Sequence, residues 1–519
     1  MIQLMNNQKP FTFSVSSQMT IFFILFLYAV NIVSAQTPNS VSAVSEEKIK
    51  EALKFVEENM DSLNAHRKYI YAMGLNTAAV EKQYEIWFKK YPDNANIPFA
   101  IGAVYFGRTL YSAKEYLLKT VQMNPKNAKA WMMLSSIASI EGEYDLGREY
   151  VKRATIIDAS HAGYAYSYLR TFREGDPEAY KKMVFEYIDR FPKSDEGSYA
   201  LYSLAANAVT VSDQVRYYEL LYEKYAPENY SWTQSGMGKL CDIYLQTTPA
   251  KALEITRRME KTGGDNWKNI REQVELYIAA QKLERENKYR EALEKLTRIH
   301  RSKENPLHEY IALKKADLQD KLNGPSVAYD SLTTLYAQRP TDTLMKGLER
   351  YGRKLGKDQK QIDKDIETIR YSTAVPASPF ELGLYTSDQK LGLNDLKGKV
   401  TLLTFWFPAC GPCKEEFPHF QNVIDSYKGD KLEYVGINVL PSQDDYVLPF
   451  IDNNKFSFIP LRGTTKFALE KYNVTGQPEN FIIDKDGKIV FRDFRIGPDN
   501  RRTLQLMISS LLDKESAQK

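Results

Sequence analysis

Cysteine and histidine are scarce in this chain, at 3 and 5 of 519 residues. So few cysteines exclude a small disulfide-stapled scaffold. Without a second cysteine pair or a local Cys/His cluster, no structural zinc site can be assembled along the sequence. Charge of one sign is lacking too: 70 basic and 66 acidic residues leave a net +4 with no basic block. That gives little footing for nucleic-acid or polyanion binding. Glycine is modest at 26, and 43% hydrophobic with 26% charged residues excludes a wholly disordered or collagen-like chain. Tyrosine is abundant, at 35. The length exceeds what one core can fill, so two or more domains are expected.

The first 35 residues carry a single charge, Lys9, ahead of an apolar run from Thr20 to Val33 that ends in Val33-Ser34-Ala35. The run is short for a bilayer span, and its small-residue exit suits a secretory signal peptide, 1–35, cleaved near Gln36. An uncleaved single-span anchor is the alternative. No cysteine follows the run, which excludes a lipid anchor there. The expected destination is the periplasm or cell envelope of a Gram-negative-type bacterium. Of the two sequons, Asn229-Tyr-Ser231 and Asn473-Val-Thr475, the second stands three residues before Pro478, where a glycan would crowd the chemistry described below.

Residues 46–370 carry a spaced pattern. Prolines at 92, 125, 192, 227, 306 and 340 are separated by near multiples of one repeat length, except for a looser step between 227 and 306. Within one unit Trp131, Leu134, Gly147, Val151, Ala154 and Ala159 fall in a small–large order. Ile97, Ala100, Val104, Ala113, Leu117 and Pro125 keep the same register, as do Ala328, Leu332, Leu335 and Pro340. Small residues let paired helices approach, large ones fill the groove, and the proline stops the second helix. The stretch resembles the tetratricopeptide-repeat family, poorly over 228–284, which implies an all-α solenoid that binds a protein or peptide. A spacer or dimerisation arm is the other reading. Tyr164, Tyr166, Tyr168, Tyr217, Tyr218 and Tyr222 either line a groove or fill the core between repeats. Cys241 stands in an apolar helical context and reads as a buried inert thiol.

Composition changes after Arg370. Val375-Pro-Ala-Ser-Pro379 reads as a linker, and 374–519 as a domain of alternating strands and helices. Val400–Phe407 is a continuous apolar run typical of a buried central strand. Cys410-Gly411-Pro412-Cys413 follows, then a helix over 415–427. A second buried strand covers 432–439, a helix about 464–472, and a hairpin joins 480–484 to 488–493 through Asp486-Gly487. A last helix covers about 499–513. A cysteine at a helix N-terminus gains a stabilised thiolate from free amides and the dipole. Cys413, a turn along, can resolve a mixed disulfide, and Pro412 suits a helix start. Three other readings exist. A zinc site lacks ligands, and a permanent disulfide across so short a loop adds little stability. A peroxidatic cysteine would want a threonine where Phe407 stands.

With Phe405-Trp406, Glu416-Phe-Pro418, Val474-Thr-Gly-Gln-Pro478 and Phe481-Ile-Ile-Asp484, these motifs resemble the TlpA/ResA-like thiol-disulfide oxidoreductases of the thioredoxin superfamily. The resemblance implies an α/β thioredoxin fold with Cys410 and Cys413 as catalytic residues forming a redox-active disulfide. It also implies a cis Pro478 facing them, Gln477 presenting backbone to an extended substrate, Trp406 behind the loop and Pro418 kinking the helix. Departures stand out. Ala409 replaces the usual tryptophan, Thr404 a buried aspartate, and Leu440-Pro441 a glutamate. Glu479 is a candidate substitute proton relay, with Glu416 or water as alternatives and a solvated loop carboxylate as the plain reading, and His419 reads as surface.

The expectation is therefore a two-part exported enzyme: helical repeats recruit a protein partner, and a dithiol reduces disulfide-bearing proteins. It would be recharged by a membrane-embedded electron donor, with no metal, cofactor or nucleic acid. An oxidase or isomerase, or a repeat scaffold whose thioredoxin domain only docks, are the alternatives. Gly411 and Pro412 between the cysteines resemble reducing thioredoxins.

Overall fold

A computed structural model describes residues 46–512 apart from 75–77, 174, 303–304 and 428–430. The expected leader, 1–35, lies outside the described residues. One compact unit ends at Arg108 and another runs from Thr109.

Up to Ser372 the described regular elements are helices, eighteen of them, from Glu46–Glu58 to Gln359–Ser372. Local chemistry sets many of their ends. Asp176, Ser194, Thr210, Asn305, Thr341 and Asp358 each accept a first-turn backbone N–H. Pro177, Pro249, Pro306 and Pro325 occupy first-turn positions that need no donor. In the most regular sequence unit, helices Ala128–Ile140 and Tyr144–Ile157 bury Trp131, Leu134, Gly147, Val151 and Ala154. Gly147 allows the close approach, since a Cβ there would lie 3.2 Å from the Ser135 carbonyl oxygen. The poorly fitting stretch contains Pro249–Arg285, a helical run broken at Gly264, whose φ of +58° favours glycine. Tyr166, Tyr217 and Tyr218 are buried in the core, while Tyr164, Tyr168 and Tyr222 are half-buried. Cys241 is buried, and desolvation pushes its thiol up to about 12, so it stays protonated and inert at neutral pH.

From Val375 the chain is α/β. Strands β1 (Val375–Pro376), β2 (Glu381–Gly383), β3 (Lys390–Gly392), β4 (Val400–Trp406), β5 (Leu432–Asn438), β6 (Ile459–Arg462), β7 (Glu479–Ile483) and β8 (Lys488–Arg492) form two sheets. The larger has the order β1-β8-β7-β4-β5-β6, and β2 pairs β3. β4, β5 and β6 are parallel, while β7 is antiparallel to β4 and β8 to β7. The expected linker at Val375 instead supplies the edge strand β1, antiparallel to β8, because proline is tolerated at an edge.

Every residue of β4 is buried, as its unbroken apolar run requires. Val400, Leu402 and Trp406 join the helices Gly411–Asp425 and Arg501–Leu512 on one face. Leu403 and Phe405 join helix Thr465–Tyr472 on the other. On the first face Trp406, Phe417, Phe450 and Phe458 meet at ring-centroid separations of 5.0–5.8 Å. Phe450 comes from helix Val447–Asn454, which together with β6 was not assigned from the sequence. Gly436 on β5 lets this cluster close: a Cβ there would stand 2.7 Å from the Phe458 ring. Gly436→Ala is therefore expected to cost about 1–3 kcal/mol by overpacking, read as a lower urea midpoint at unchanged slope.

Candidate functional site

β4 delivers the chain to the cysteines. After Trp406, the Cys410 N–H donates to the Phe407 carbonyl at 3.0 Å, and the Ala409 N–H donates to Gln443 Oε1 at 2.9 Å. Gln443 is buried on the 3-10 turn Pro441–Tyr446. The helix that follows Cys410 begins at Gly411, earlier than expected, with Cys410 as N-cap and Sγ accepting the Cys413 N–H at 3.2 Å. Pro412 is in its first turn and Pro418 inside it, where proline has no N–H to give the Lys414 carbonyl. Cys410 and Cys413 form a disulfide with their Cα atoms 5.3 Å apart. They are 4% and 1% exposed, while Gly411 and Pro412 are exposed.

The Gln477–Pro478 peptide is cis. β7 begins at Glu479, opposite Phe405, so Pro478 lies at the sheet end where β4 runs into the cysteine loop. Gln477 is half-buried, and Thr475 and Gly476 are exposed. Trp406 is fully buried, edge-on to Phe417 at 5.1 Å, and so underlies the helix start.

Beneath the cysteines runs a buried polar chain. Thr404 faces Asn480 across the β4–β7 pair, and its hydroxyl donates to Asn480 Oδ1 at 2.9 Å. Asn480 Nδ2 donates to Glu416 Oε2 at 2.8 Å and to the Phe494 carbonyl at 3.0 Å. Arg495 reaches Glu416 Oε1 at 3.5 Å. Glu416 is buried three residues after Cys413, on the same side of the helix. Burial pushes its carboxyl above the ordinary range, and Asn480 and Arg495 pull part of the way back. Glu479 is half-buried and also raised, first by burial and then by Asp493. The His419 Nδ1 accepts from Arg501 Nε at 3.1 Å. Sequence reasoning missed Asn480 and Gln443. Asn480 had a signal, as a lone polar residue in an apolar strand facing another, Thr404; Gln443 had none.

Residues 374–492 match the AhpC/TSA family. Thiol-disulfide oxidoreductase ResA of Bacillus subtilis is 35% identical over 105 residues, 20% of this chain and 58% of that protein. Sporulation thiol-disulfide oxidoreductase A of the same organism is 32% identical, over 20% of this chain and 62% of its own length. The chain thus spans about three-fifths of these two relatives. Thioredoxin-like protein YneN, also from Bacillus subtilis, is 31% identical over 23% of this chain and 69% of its own length. The crystal structure of a DsbF homologue from Corynebacterium diphtheriae aligns over 27% of this chain and 88% of that one, at 27% identity and TM-score 0.24. Through its C-terminal part the chain belongs to the thioredoxin-like family, and ResA-type thiol-disulfide oxidoreductases are among the relatives it resembles. Among the described residues, no helix is long and apolar enough to cross a membrane.

Glu416 tests the polar chain. Its folded pKa is raised, so its contribution to stability is full below the ordinary 4.5 and is lost as pH rises through the folded value. Asn480→Leu removes an interaction that lowers that value, and the Glu416 titration is expected to move further up in a carboxyl NMR titration. Thr404→Val should cost about 1–3 kcal/mol in denaturant unfolding by leaving Asn480 Oδ1 without its donor.

Proposed function

We propose that this protein is an exported thiol-disulfide oxidoreductase that reduces disulfides in protein substrates. The observation that carries the reading is a cysteine pair capping a helix N-terminus, at the same sheet end as a cis proline. In the reduced form the Cys410 thiolate attacks one sulfur of a substrate disulfide. A mixed disulfide forms and the other substrate sulfur leaves as a thiolate. The Cys413 thiolate then attacks Cys410 Sγ, re-forming the internal disulfide and releasing the second substrate thiol, so two electrons pass to the substrate. A membrane-embedded dithiol donor would return them.

Cys413 must lose a proton for the second attack. Glu416 is better placed than Glu479 to take it, because it shares the helix side of Cys413, and burial raises its carboxyl above the ordinary range as a proton acceptor requires. Gln477 would offer its backbone to an extended substrate segment. Export rests on the apolar run at 20–33 with its small-residue exit. Recruitment of a protein partner rests on the tetratricopeptide-like spacing of the helical run.

The deciding experiment is the reduction potential of the Cys410–Cys413 pair, by equilibration in defined thiol buffers. A value below about −240 mV fits a reductase that needs an electron supply, and one above about −180 mV would make the protein an oxidant or isomerase. Cys410→Ser should abolish turnover, and Cys413→Ser should accumulate mixed disulfides separable on non-reducing gels. Glu416→Gln is expected to slow the resolving step about 100-fold and to flatten its pH profile.

A further inference from the structure

The two residues that follow Cys413 are both engaged by the helical run. Lys414 Nζ donates to the carbonyl and the hydroxyl of Ser139, each at 3.2 Å, near the C-terminus of helix Ala128–Ile140. Glu415 receives Arg173 Nη2 at 2.6 Å. Burial pushes the Lys414 ammonium down to about 8, with Arg170 adding to the effect.

The same corner reaches the far side of the cysteine loop. Asn453 Nδ2 donates to the Glu141 carbonyl at 2.8 Å, and Gly142 sits so close to helix Val447–Asn454 that a Cβ would stand 2.2 Å from Asn454 Nδ2. Gly142 also has a φ of +80°, and that backbone conformation is what favours glycine there. Glu141 itself is buried and held by Lys114 at 2.6 Å, which sets the corner before it docks. Tyr111 packs edge-on against Tyr446 at 5.1 Å, on the 3-10 turn whose Gln443 fixes Ala409. The contacts fall on Lys414 and Glu415 of the helix that follows Cys410, on the 3-10 turn and on the Val447–Asn454 helix. Gly411, Pro412, Thr475 and Gly476 stay exposed.

We propose that this part of the helical run is a wall of the substrate site: the corner at 139–142 with Tyr111 and Arg173 confines access to the cysteines to the Gly411–Pro412 and Thr475–Gly476 side. Disulfides on extended, flexible protein segments are admitted, and disulfides set in a folded surface are held off. The inference rests on the exchange chemistry proposed above for what the wall selects, though not for the existence of the wall. It goes further by giving the helical run a role in choosing substrates at the cysteines themselves.

The test uses the full chain, reduced, and reads modification of Cys410 by mass with two probes of the same chemistry, N-ethylmaleimide and a long polyethylene-glycol maleimide. The comparison is with Arg173→Glu/Tyr111→Ala, both substituted on the helical side, and with Arg173→Glu alone in case the double variant does not fold by circular dichroism. The wall predicts that the large probe lags the small one by about tenfold or more in the parent and that the lag falls to about twofold or less in the variants. No lag in the parent, or a lag that the variants leave unmoved, overturns the proposal. Alkylation needs no turnover, so an inactive dithiol would sink the exchange chemistry while leaving this result readable. In turnover, the variants should gain on folded insulin relative to a flexible disulfide-bridged peptide, and an unchanged ratio would equally overturn the wall.

Discussion

The first turn of the helix that Cys410 caps is the constraint around which the C-terminal half is arranged. Its leading amides have no helical acceptor, and the buried amide of Cys413 must be supplied with one. Cys410 does so with sulfur, at 3.2 Å from the Cys413 amide. The acceptor improves when that sulfur carries charge, which couples the helix start to the redox state of the pair. The rest of the loop holds the sulfur in place: Gln443 fixes Ala409 from one side, and Trp406 and Phe417 pack beneath.

The polar chain under that turn is a different solution from a single buried carboxylate on the central strand. Thr404 and Asn480 are neutral, and the hydrogen bond between them contributes on the order of 1 kcal/mol. Their larger effect is to make Glu416 affordable in the core. A buried carboxyl without partners is strongly penalised, whereas Glu416 has an amide donor on one oxygen and a guanidinium near the other. The carboxyl is thus moved from the strand to the helix that also bears the cysteines.

Much of the C-terminal fold was legible because its strands are buried on both faces and read as unbroken apolar runs, and because CGPC between such a run and a helix has few physical explanations. The helix Val447–Asn454 and β6 were not legible, being short and carrying no sharp period. The linker at Val375 misled because successive prolines signal a break, while the edge of a sheet tolerates them. In the helical run the proline spacing was visible, but the break at Gly264 lies inside one helical run and left no loop signature. Gln443, Lys414 and Gly142 escaped for a common reason: their significance is a partner far away in sequence, and nothing local in a glutamine, a lysine or a glycine names that partner.

The passage from helix to sheet is very short. The last helix of the run ends at Ser372, and by Val375 the chain is already hydrogen-bonded into the sheet. Around this junction Arg370 stacks on Phe491 at 5.1 Å, Tyr371 donates to Asp484 at 3.0 Å, and Arg502 forks onto Asp342. Two residues of free chain leave almost no slack, so docking of the 139–142 corner is an intramolecular event at high effective concentration, and contacts that would be too weak between separate proteins can hold it. The geometry then works as a ruler. Every surface that the chain presents between the 139–142 corner and Ser372 is thereby kept at a set distance from Cys410.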